Sequence, residues 1–557
     1  MIAPELLARA RAWREGDPDP ATRAELDALV AAGDARELAG RFAGRLEFGT
    51  AGLRGRRGAG PMRMNRLVVR QSAAGVAAYL TARAGDGAPR PVVVVFDARH
   101  RSDEFAADVA EVLCAHGVPV ILGTRPLPTP VGVFAIRPLG CAAGIVVTAS
   151  HNPPADSGLK LYLDDAAQIV PPADAEIEAA IARVAGGRAP IVPEGALPAP
   201  VDPLPEAVVD DYVEATLARV PPARAPIAIA LTAMHGVGGA LLVRLLGAAG
   251  HAAVHPVARQ QEPDGDFPTV AFPNPEEPGA TDLLAARMVE SGAAIGLALD
   301  PDADRAACLV TPAGGGPPVQ LSGDDVGALL GDWLLDEVTA GPDRLVVSSV
   351  VSSGLLARIA EARGAHHAET LTGFKWLSRP AMEHPRWTQV LAYEEALGYA
   401  IGADVRDKDG LSATLALASL ASAERARGRT LLDRLDDLHR AHGAHVVENF
   451  SLRDESGGGG ERRLALVDRL AADPPARLGP RAVAGARRLA ADVLRLDLDG
   501  GVRVLVRPSG TEPKLKCYCE AVEPVADGDA AAARARARRT LAAVREGLAA
   551  LLATAGA

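Results

Sequence analysis

Short apolar runs, each followed by turn residues and then by helical periodicity, recur along almost the whole chain. These runs occupy residues 92–96, 144–147, 227–231, 295–299, 345–350 and 502–506. Apolar runs of this length are typical of strands that are covered on both faces. Their alternation with helices predicts α/β layers with largely parallel or mixed sheets. Because ligands of open α/β sheets bind at the carboxyl ends of strands, functional residues are expected in the loops that follow these runs.

The length of 557 residues is too great for one hydrophobic core and predicts three to five domains. Two segments have the composition of boundaries, the Pro-rich residues 190–205 and the Gly-rich region 441–461. Residues 313–318 instead predict a hairpin tip, since residues 306–310 and 319–321 on either side have strand patterns. We therefore divide the chain near residues 205, 320 and 440.

The charge balance and the amino terminus limit the function classes. With 59 Lys and Arg against 70 Asp and Glu, the net charge of -11 disfavours a nucleic acid or an anionic membrane as partner. Residues 1–16 predict an amphipathic helix rather than a signal peptide, and no apolar run approaches the length of a membrane span. Thr22-x-x-Glu25 has the spacing of a capping box and predicts a helix that reaches about Phe42. Five scattered cysteines are typical of reduced thiols, so a cytoplasmic location is expected.

A single hydroxyl nucleophile follows the second apolar run. The sequence Thr148-Ala149-Ser150-His151-Asn152-Pro153 places Ser150 just beyond residues 144–147, in a turn that fits neither helix nor sheet. Ser, Asn and Pro all favour turns and helix caps, so a purely structural role is the alternative for this serine taken alone.

Three carboxylates emerge together after the apolar run at residues 295–299. Asp300, Asp302 and Asp304, followed by Arg305, repel one another unless a cation intervenes, and hard oxygen ligands on a short loop suit Mg²⁺. An EF-hand is excluded because Arg305 and Thr311 stand where that loop needs Gly and Glu. A phosphatase of the haloacid-dehalogenase type, with an aspartate as nucleophile, is the enzymatic rival, but it leaves Ser150 without a role.

Two further loops offer groups for an anion and for sugar hydroxyls. The segment Arg507-Pro508-Ser509-Gly510-Thr511 brings a guanidinium, two hydroxyls and the amides of a Gly-containing turn to one place, as phosphate binding requires. The segment Glu394-Glu395-Ala396-Leu397-Gly398 supplies carboxylates that can accept from sugar hydroxyls. The basic pair Arg406 and Lys408 follows closely and can hold a second anion.

Together, the four loops resemble the α-D-phosphohexomutase superfamily, which contains phosphoglucomutases and phosphomannomutases. The resemblance extends from about Phe48 to Tyr518 in the family's order. Smaller matches agree: Phe48 to Gly55 is similar to the family's entrance segment, Gly158-Leu159-Lys160 to the stretch with a catalytic lysine, and Thr372 to Trp376 to a loop that distinguishes sugar orientation. These matches resemble the branch that also includes phosphopentomutases and sugar-bisphosphate synthases.

The resemblance implies an α/β fold of four domains around a central cleft, three similar units with mixed sheets and a smaller C-terminal α+β domain. The predicted ranges are residues 1–205, a helical extension with the phosphoserine domain; 206–320, the metal-binding domain; 321–440, the sugar-recognition domain; and 441–557, the phosphate-binding domain. A monomer or homodimer that acts on small sugar phosphates is expected.

The resemblance also implies roles for individual residues. Ser150 would carry a phosphoryl group and complete the Mg²⁺ ligands of Asp300, Asp302 and Asp304, and a sugar bisphosphate would prime the enzyme. Arg54 would lie near the transferred group. Lys160 would be the acid/base residue if its pKa is lowered, with His151 as the alternative. Substrate would be held by the remaining set: Thr372, Gly373, Glu394, Ala396, Arg406, Lys408, Arg507, Ser509, Gly510 and Thr511.

One position departs from the family pattern. Many glucose and mannose enzymes have Glu-x-Ser in the sugar loop, whereas this chain has Glu394-x-Ala396. The expected reaction is the transfer of a phosphoryl group between C1 and C6 of a hexose. The expected substrate pair is glucose 1-phosphate and glucose 6-phosphate. Phosphomannomutase, phosphopentomutase, sugar-bisphosphate synthase and phosphatase activities stay open as alternatives, and so does a sugar-phosphate binder without activity.

Overall fold

The structure is a computed structural model that describes residues 2–47, 52–85, 87–193, 198–453, 459–508 and 514–555. Its chain divides into two compact units. The first contains Met1–Gln320, Gly373–Met382 and Leu397–Ala423, and the second contains Leu321–Thr372, Glu383–Ala396 and Glu424–Ala557.

The first unit opens with three helices and continues into a six-stranded sheet. These elements are α1 (Pro4–Gly16), α2 (Pro20–Ala31), α3 (Ala35–Arg41), β1 (Leu53–Arg56), α4 (Arg66–Ala84), β2 (Val92–Phe96), α5 (Ser102–Ala115), β3 (Val120–Leu122), α6 (Thr129–Ile136), β4 (Ala143–Val147), β5 (Asp156–Leu163), α7 (Ala173–Ala185) and β6 (Val201–Pro203). The sheet order is β1-β5-β4-β2-β3-β6, parallel at its centre and antiparallel where β5 joins β4 and β1. The mixed sheet that we predicted is confirmed here.

A second sheet of the first unit includes the strands on either side of the acidic loop, which contains Asp300, Asp302 and Asp304. Its segment comprises α8 (Ala207–Arg219), β7 (Ala228–Thr232), α9 (Gly239–Ala248), β8 (Ala253–Pro256), α10 (Asp282–Ser291), β9 (Ile295–Leu299), β10 (Ala306–Val310) and β11 (Val319–Gln320). The order is β11-β10-β9-β7-β8. The predicted hairpin is confirmed, since β10 and β11 pair antiparallel.

The next segment is divided between the two units. It contains α11 (Gly323–Trp333), β12 (Arg344–Ser349), α12 (Leu355–Ala362), β13 (His366–Thr370), α13 (Phe374–Leu377), α14 (Arg379–Glu383), β14 (Thr388–Glu394), β15 (Gly398–Ile401), α15 (Gly410–Ala426) and α16 (Leu431–His442). In the second unit, β12 pairs in parallel with both β13 and β14. In the first unit, Gly398 of β15 bridges to Arg305, beside the acidic loop.

The last segment folds into an antiparallel sheet with helices, which confirms the predicted α+β character. It contains β16 (Ala444–Arg453), α17 (Gly459–Ala472), β17 (Arg477–Leu478), β18 (Arg481–Ala490), β19 (Val493–Leu498), β20 (Val502–Pro508), β21 (Lys514–Glu523) and α18 (Ala530–Ala555). The order is β16-β21-β20-β19-β18-β17. Within the region 441–461, residues 444–453 form a strand that pairs along its whole length with β21.

The start that the spacing of Thr22 and Glu25 predicts for the second helix is wrong. The helix α2 begins at Pro20 with Asp19 as its cap, and the hydroxyl of Thr22 donates to Asp17 instead of capping. The helix ends at Ala31, since Gly33 has a φ of 67° and turns the chain into α3. Spacing alone did not reveal that an aspartate and a proline supply a better helix start three residues earlier.

Buried charges join the two sheets within the second unit. Glu520 on β21 accepts from the hydroxyl of Ser353 at 2.6 Å, from His445 Nδ1 at 2.9 Å and from Arg503 Nε at 2.6 Å. Asp324 on α11 accepts from the Ser353 amide at 2.6 Å and from the Tyr393 hydroxyl at 3.0 Å. Burial, with the charge of Glu520 adding to it, raises the pKa of Asp324 to about 7.

We expect Asp324→Asn to be more stable than the parent above neutral pH. The native carboxyl holds a proton that the unfolded chain loses near pH 4, so the parent loses stability from about pH 4 to pH 7, by at most about 4 kcal/mol. Asn keeps the acceptor for Ser353 and Tyr393 and has no charge to bury. Unfolding midpoints of the second unit measured from pH 5 to pH 9 should diverge up to about pH 7 and then stay apart. The exposed Asp473→Asn serves as control, and parallel curves for Asp324→Asn and the parent would contradict the expectation.

Candidate active site

Ser150 stands in a tight turn directly after β4. Its φ of 50° is in the left-handed region, which is uncommon for a residue with a side chain, and its amide donates to the Thr148 hydroxyl at 2.9 Å. The side chain is buried, and Oγ lies 3.0 Å from Asp300 Oδ2 and 3.2 Å from His151 Nδ1. A hydroxyl, an imidazole and a carboxylate therefore meet at one point.

The three carboxylates of the acidic loop are fully buried at the end of β9. Their ligand atoms lie within 4.8 Å of one another. Asp300 accepts from the Arg305 amide at 3.0 Å, and Asp302 accepts from the Thr129 hydroxyl at 2.6 Å. The Oδ1 atoms of Asp302 and Asp304 are buried and accept no hydrogen bond from the described residues. Buried carboxylate oxygens without donors fit a hard divalent cation.

Two lysines lie beside this cluster. Lys160 on β5 has Nζ at 2.6 Å from Asp302 and 2.5 Å from Asp304, and Lys408 has Nζ at 3.2 Å from Asp304 and 3.0 Å from Asp407. Asp407 in turn accepts from the Tyr162 hydroxyl at 2.5 Å. Two buried ammonium groups therefore lie among four buried carboxylates, so these groups carry an excess of negative charge when all are ionised.

The charges shift the proton affinities in different directions. Burial and repulsion by its two neighbours raise the pKa of Asp300 well above its ordinary value. Burial opposes the charge of Asp304, but Lys160 and Lys408 outweigh it and lower the pKa of that carboxyl.

Lys160 differs from the expectation for an acid/base residue. Burial opposes its charge, yet Asp302 and Asp304 prevail and the pKa of Lys160 is raised, whereas we expected it to be lowered. Burial, together with Arg305 and Arg54, lowers the pKa of His151 well below its ordinary value. The lowered pKa favours the neutral imidazole of His151.

A glycine permits the close approach of the strands around Ser150. A Cβ on Gly158 would lie 2.5 Å from the Leu53 carbonyl oxygen, 2.8 Å from that of Thr148 and 2.9 Å from Arg54 Cγ. Arg54 pairs with Gly158 across β1 and β5, and its buried Nε has no hydrogen-bond partner among the described residues. Only a residue without a side chain leaves room here for the two carbonyl oxygens and for Arg54 Cγ.

The predicted substrate residues lie in several places. Lys408 reaches the acidic cluster, whereas Arg406 donates to the Asp165 carbonyl at 2.8 Å, so this basic pair does not converge on one point. Gly373 precedes α13, where it has a φ of 106°, in the first unit.

Four other predicted substrate residues belong to the second unit. Buried Glu394 ends β14 and is followed by Ala396, Thr372 follows β13, and Arg507 lies on β20. Ser509, Gly510 and Thr511 lie outside the described residues.

Sequence reasoning missed Asp97 and Arg99, which follow β2. Arg99 donates to the carbonyl oxygens of Ser150 and Asn152, each at 2.6 Å, and of Pro153 at 2.9 Å. The signal was the same one that identified the other loops, because polar residues directly follow an apolar strand of the sheet.

This geometry is that of a phosphoryl-transfer enzyme, with a strand-end hydroxyl that faces clustered carboxylates. The chain matches phosphoglucomutase/phosphomannomutase alpha/beta/alpha domain I over residues 45–186, domain II over 210–314, domain III over 322–441 and the C-terminal domain over 465–537.

Relatives and a solved structure agree with these matches. A "probable phosphomannomutase" from Haemophilus influenzae is 40% identical over 471 residues, which cover 83% of this chain and 93% of that protein. A phosphopentomutase from Mus musculus is 33% identical over 561 residues, which cover 93% of this chain and 90% of that protein. A crystal structure of a phosphoglucomutase/phosphomannomutase family protein from Burkholderia thailandensis has a TM-score of 0.69 at 25% identity and covers 90% of this chain and 97% of that one.

This chain therefore belongs to the phosphoglucomutase/phosphomannomutase family, within the α-D-phosphohexomutase superfamily that its loops resemble. It is an enzyme of the phosphomutase type, an intramolecular phosphotransferase of the isomerase class. Among the helices of the described ranges, none combines the length and the apolar composition that a bilayer crossing needs.

Proposed function

We propose that the chain is a phosphosugar mutase in which Ser150 is alternately phosphorylated and dephosphorylated. The observation that carries the proposal is Ser150 Oγ, buried 3.0 Å from Asp300 and 3.2 Å from His151 Nδ1 beside two further carboxylates. A buried hydroxyl that only capped a turn would not need this cluster.

The proposed reaction has two phosphoryl transfers of opposite direction. In the first, the bond between Ser150 Oγ and phosphorus breaks, and a bond forms between phosphorus and the free hydroxyl oxygen of a sugar monophosphate. That hydroxyl gives up its proton, and Ser150 Oγ takes one. The bound bisphosphate then turns over, and its other phosphoryl group returns to Ser150, so that a sugar bisphosphate also serves as the primer.

His151 and Lys160 have different roles in this proposal. His151 Nδ1 is placed to take the proton of the Ser150 hydroxyl, and its lowered pKa keeps the ring neutral for that purpose. Lys160 holds its proton firmly between Asp302 and Asp304 while those carboxylates are ionised. In this proposal Lys160, whose raised pKa makes it a poor proton donor, therefore contributes positive charge, and His151 takes the acid/base role.

The acidic cluster fits a divalent cation, for which we propose Mg²⁺. Asp300, Asp302 and Asp304 would hold it, and two of their buried oxygens lack donors. When bound, Mg²⁺ neutralises the charge that builds on a transferring phosphoryl group. Arg54 adds positive charge on the β1 side of Ser150.

The remaining substrate contacts are proposed from the sequence motifs. Glu394 and the Thr372-Gly373 turn would bind sugar hydroxyls. Arg507 with Ser509, Gly510 and Thr511 would anchor the phosphate that is not reacting. The charge of Lys408 would add to the potential at the acidic cluster, and Arg406 stays a candidate for a second anion.

The proposed sugar is a hexose, with glucose 1-phosphate and glucose 6-phosphate as the first pair. The name of the relative with 40% identity supports a hexose. A pentose is the second candidate, because Ala396 lacks a hydroxyl at a sugar-loop position and a relative named as a phosphopentomutase covers 93% of the chain.

We expect the mutase to convert a sugar 1-phosphate into its terminal phosphate without releasing inorganic phosphate. The test is a panel of the 1-phosphates of glucose, mannose, ribose and deoxyribose, with Mg²⁺ and the matching bisphosphate, in which kcat/KM is compared. A hexose enzyme should favour glucose or mannose over both pentoses by at least about 10-fold, the discrimination that one lost contact supplies. Release of inorganic phosphate in place of isomerisation would contradict the mutase, and a preference for ribose would select the second candidate.

A further inference from the structure

The backbone of Ser150 is held in a conformation that residues with side chains seldom adopt. Its φ is 50°, and the residue stands in a turn outside regular secondary structure. Such a conformation persists only where the surrounding structure over-determines it. In this turn, both the amide and the carbonyl of Ser150 have buried partners.

Arg99 supplies the partner of the carbonyl. Its side chain has a relative exposure of 0%. Its guanidinium donates to the carbonyl oxygens of Ser150 at 2.6 Å, Asn152 at 2.6 Å and Pro153 at 2.9 Å. The planar fork of arginine can serve three acceptors at once, whereas the ammonium of lysine is a compact point charge. Three carbonyls of the turn at residues 150–153 therefore depend on one side chain.

Asp97 and Thr148 supply the partner of the amide. The Ser150 amide donates to Thr148 Oγ1 at 2.9 Å, and the Thr148 hydroxyl favours the charged form of the neighbouring Asp97 carboxylate. Asp97 lies 3.4 Å from Arg99 Nε and accepts from the Ser102 hydroxyl at 2.6 Å. The contacts of the Ser150 carbonyl and those of the Ser150 amide therefore both lead to the buried ion pair of Asp97 and Arg99, which follows β2.

The guanidinium is itself fixed from the opposite side. The ring of Phe267 lies 4.9 Å from Arg99 Cζ, at a distance typical of a cation–π contact. Every hydrogen bond of the guanidinium goes to a backbone carbonyl, so none goes to the acidic cluster, to Lys160 or to His151. Arg99 acts on the site through the serine turn.

We propose that Arg99, together with Asp97, is a positioning residue that keeps Ser150 Oγ at one place in both the free and the phosphorylated enzyme. This inference rests on the proposed function. In-line transfer requires the attacking and leaving oxygens to stay aligned, and a misplacement of about 1 Å lowers the rate by about 100-fold. Because the backbone amide and carbonyl of Ser150 are both held, the phosphoryl group can move while Ser150 Oγ keeps its position.

The test uses Arg99→Met and Arg99→Lys in the full-length protein with Mg²⁺. We measure kcat and KM for the accepted sugar 1-phosphate and, by intact mass in single turnover, the rate at which bisphosphate phosphorylates Ser150. For Arg99→Met we expect kcat and the phosphorylation rate to fall together by about 100-fold, with KM nearly unchanged. Arg99→Lys should lie between Arg99→Met and the parent, because one ammonium replaces part of the fork.

Arg434→Met is the matched control. Arg434 is another buried arginine, with ion pairs to Asp332 and Glu424 in the second unit. Its replacement should lower the unfolding midpoint without changing the phosphorylation rate of Ser150. Thr148→Val provides a second variant if Arg99→Met does not fold, since Val keeps the shape of Thr but removes the hydroxyl that holds the Ser150 amide.

The outcomes separate this inference from the proposed function. Phosphorylation of Ser150 at the parental rate in a folded Arg99→Met, or in Thr148→Val and Arg99→Lys together, overturns the positioning role and leaves the mutase intact. A raised KM at an unchanged phosphorylation rate also overturns it, because Arg99 would then be a substrate contact. A parent protein that bisphosphate never phosphorylates overturns the proposed function itself.

Discussion

Ser150→Ala is expected to abolish mutase turnover and to leave the fold intact, with kcat lower by at least about 10⁴-fold. In the proposed reaction the hydroxyl accepts and returns the phosphoryl group, whereas the nearby Thr148 hydroxyl is held by the Ser150 amide. Its backbone contacts to Thr148 and Arg99 do not involve Oγ, so the turn keeps its partners in the variant. Steady-state kinetics with bisphosphate primer measures the loss.

Ser157→Ala is the matched control for this result. Ser157 is buried on β5, and its Oγ has no hydrogen-bond partner among the described residues. Removing that hydroxyl should leave kcat within about twofold of the parent, because only a small unpaired polar group is lost. The parent should show a mass increase of about 80 Da on the Ser150 peptide that Ser150→Ala lacks. Full turnover by Ser150→Ala would refute the nucleophile.

Asp304→Asn is expected to have the second-largest effect, at the metal site. The substitution removes one of three buried carboxylates that would hold Mg²⁺ and weakens the hold on Lys160 and Lys408. We expect Mg²⁺ affinity to fall more than about 100-fold and kcat/KM at saturating Mg²⁺ to fall by about 10²-fold or more. Calorimetric titration with Mg²⁺ in the absence of sugar measures the first quantity, and kinetics over a range of Mg²⁺ concentrations measures the second.

Asp324→Asn is the control for the metal effect. Asp324 is also a buried aspartate, but it lies on α11 in the second unit and accepts from Ser353 and Tyr393. Its variant should bind Mg²⁺ as the parent does. If Asp304→Asn retains the parental Mg²⁺ affinity, the cluster is a structural set of ion pairs around Lys160 and does not hold a cation.

Much of the fold follows directly from hydrophobic patterning. The apolar runs at residues 92–96 and 295–299 coincide with β2 and β9, and the run at residues 502–506 lies within β20. Strands that are covered on both faces need a continuous apolar sequence, so they can be predicted without tertiary information. The division of the chain near residues 205, 320 and 440 stays a prediction.

Local signals were less reliable where two of them competed. The capping spacing at Thr22 and Glu25 gave a helix start that Asp19 and Pro20 supply instead. The Gly-rich region after residue 441 contains the long strand β16, because pairing with β21 outweighs the local preference for a loop. A local sequence pattern does not show which strand a segment will pair with in the folded protein.

The candidate site also has features that the sequence predicted and features that only the structure shows. The order of residues in the chain placed Ser150 and the three aspartates after strands, and the geometry brings them to hydrogen-bond distance. The direction of the Lys160 pKa shift was not available from sequence, because it depends on which carboxylates lie within 3 Å of Nζ. Arg99 carried the same strand-end signal, but only its carbonyl contacts distinguish it from an ordinary surface arginine.

The sequence by itself determined the layers, the strands and the loops in which chemistry-bearing residues stand, since burial imposes apolar runs and strand ends collect polar residues. Only the tertiary structure decided which side chains meet, which protons they hold and which arginine fixes the serine turn. The physical reason is distance: hydrogen bonds and charge interactions in a buried site change steeply over about 1 Å. Residues 150 positions apart in the chain, Ser150 and Asp300, are neighbours solely through the packing of two sheets in one unit.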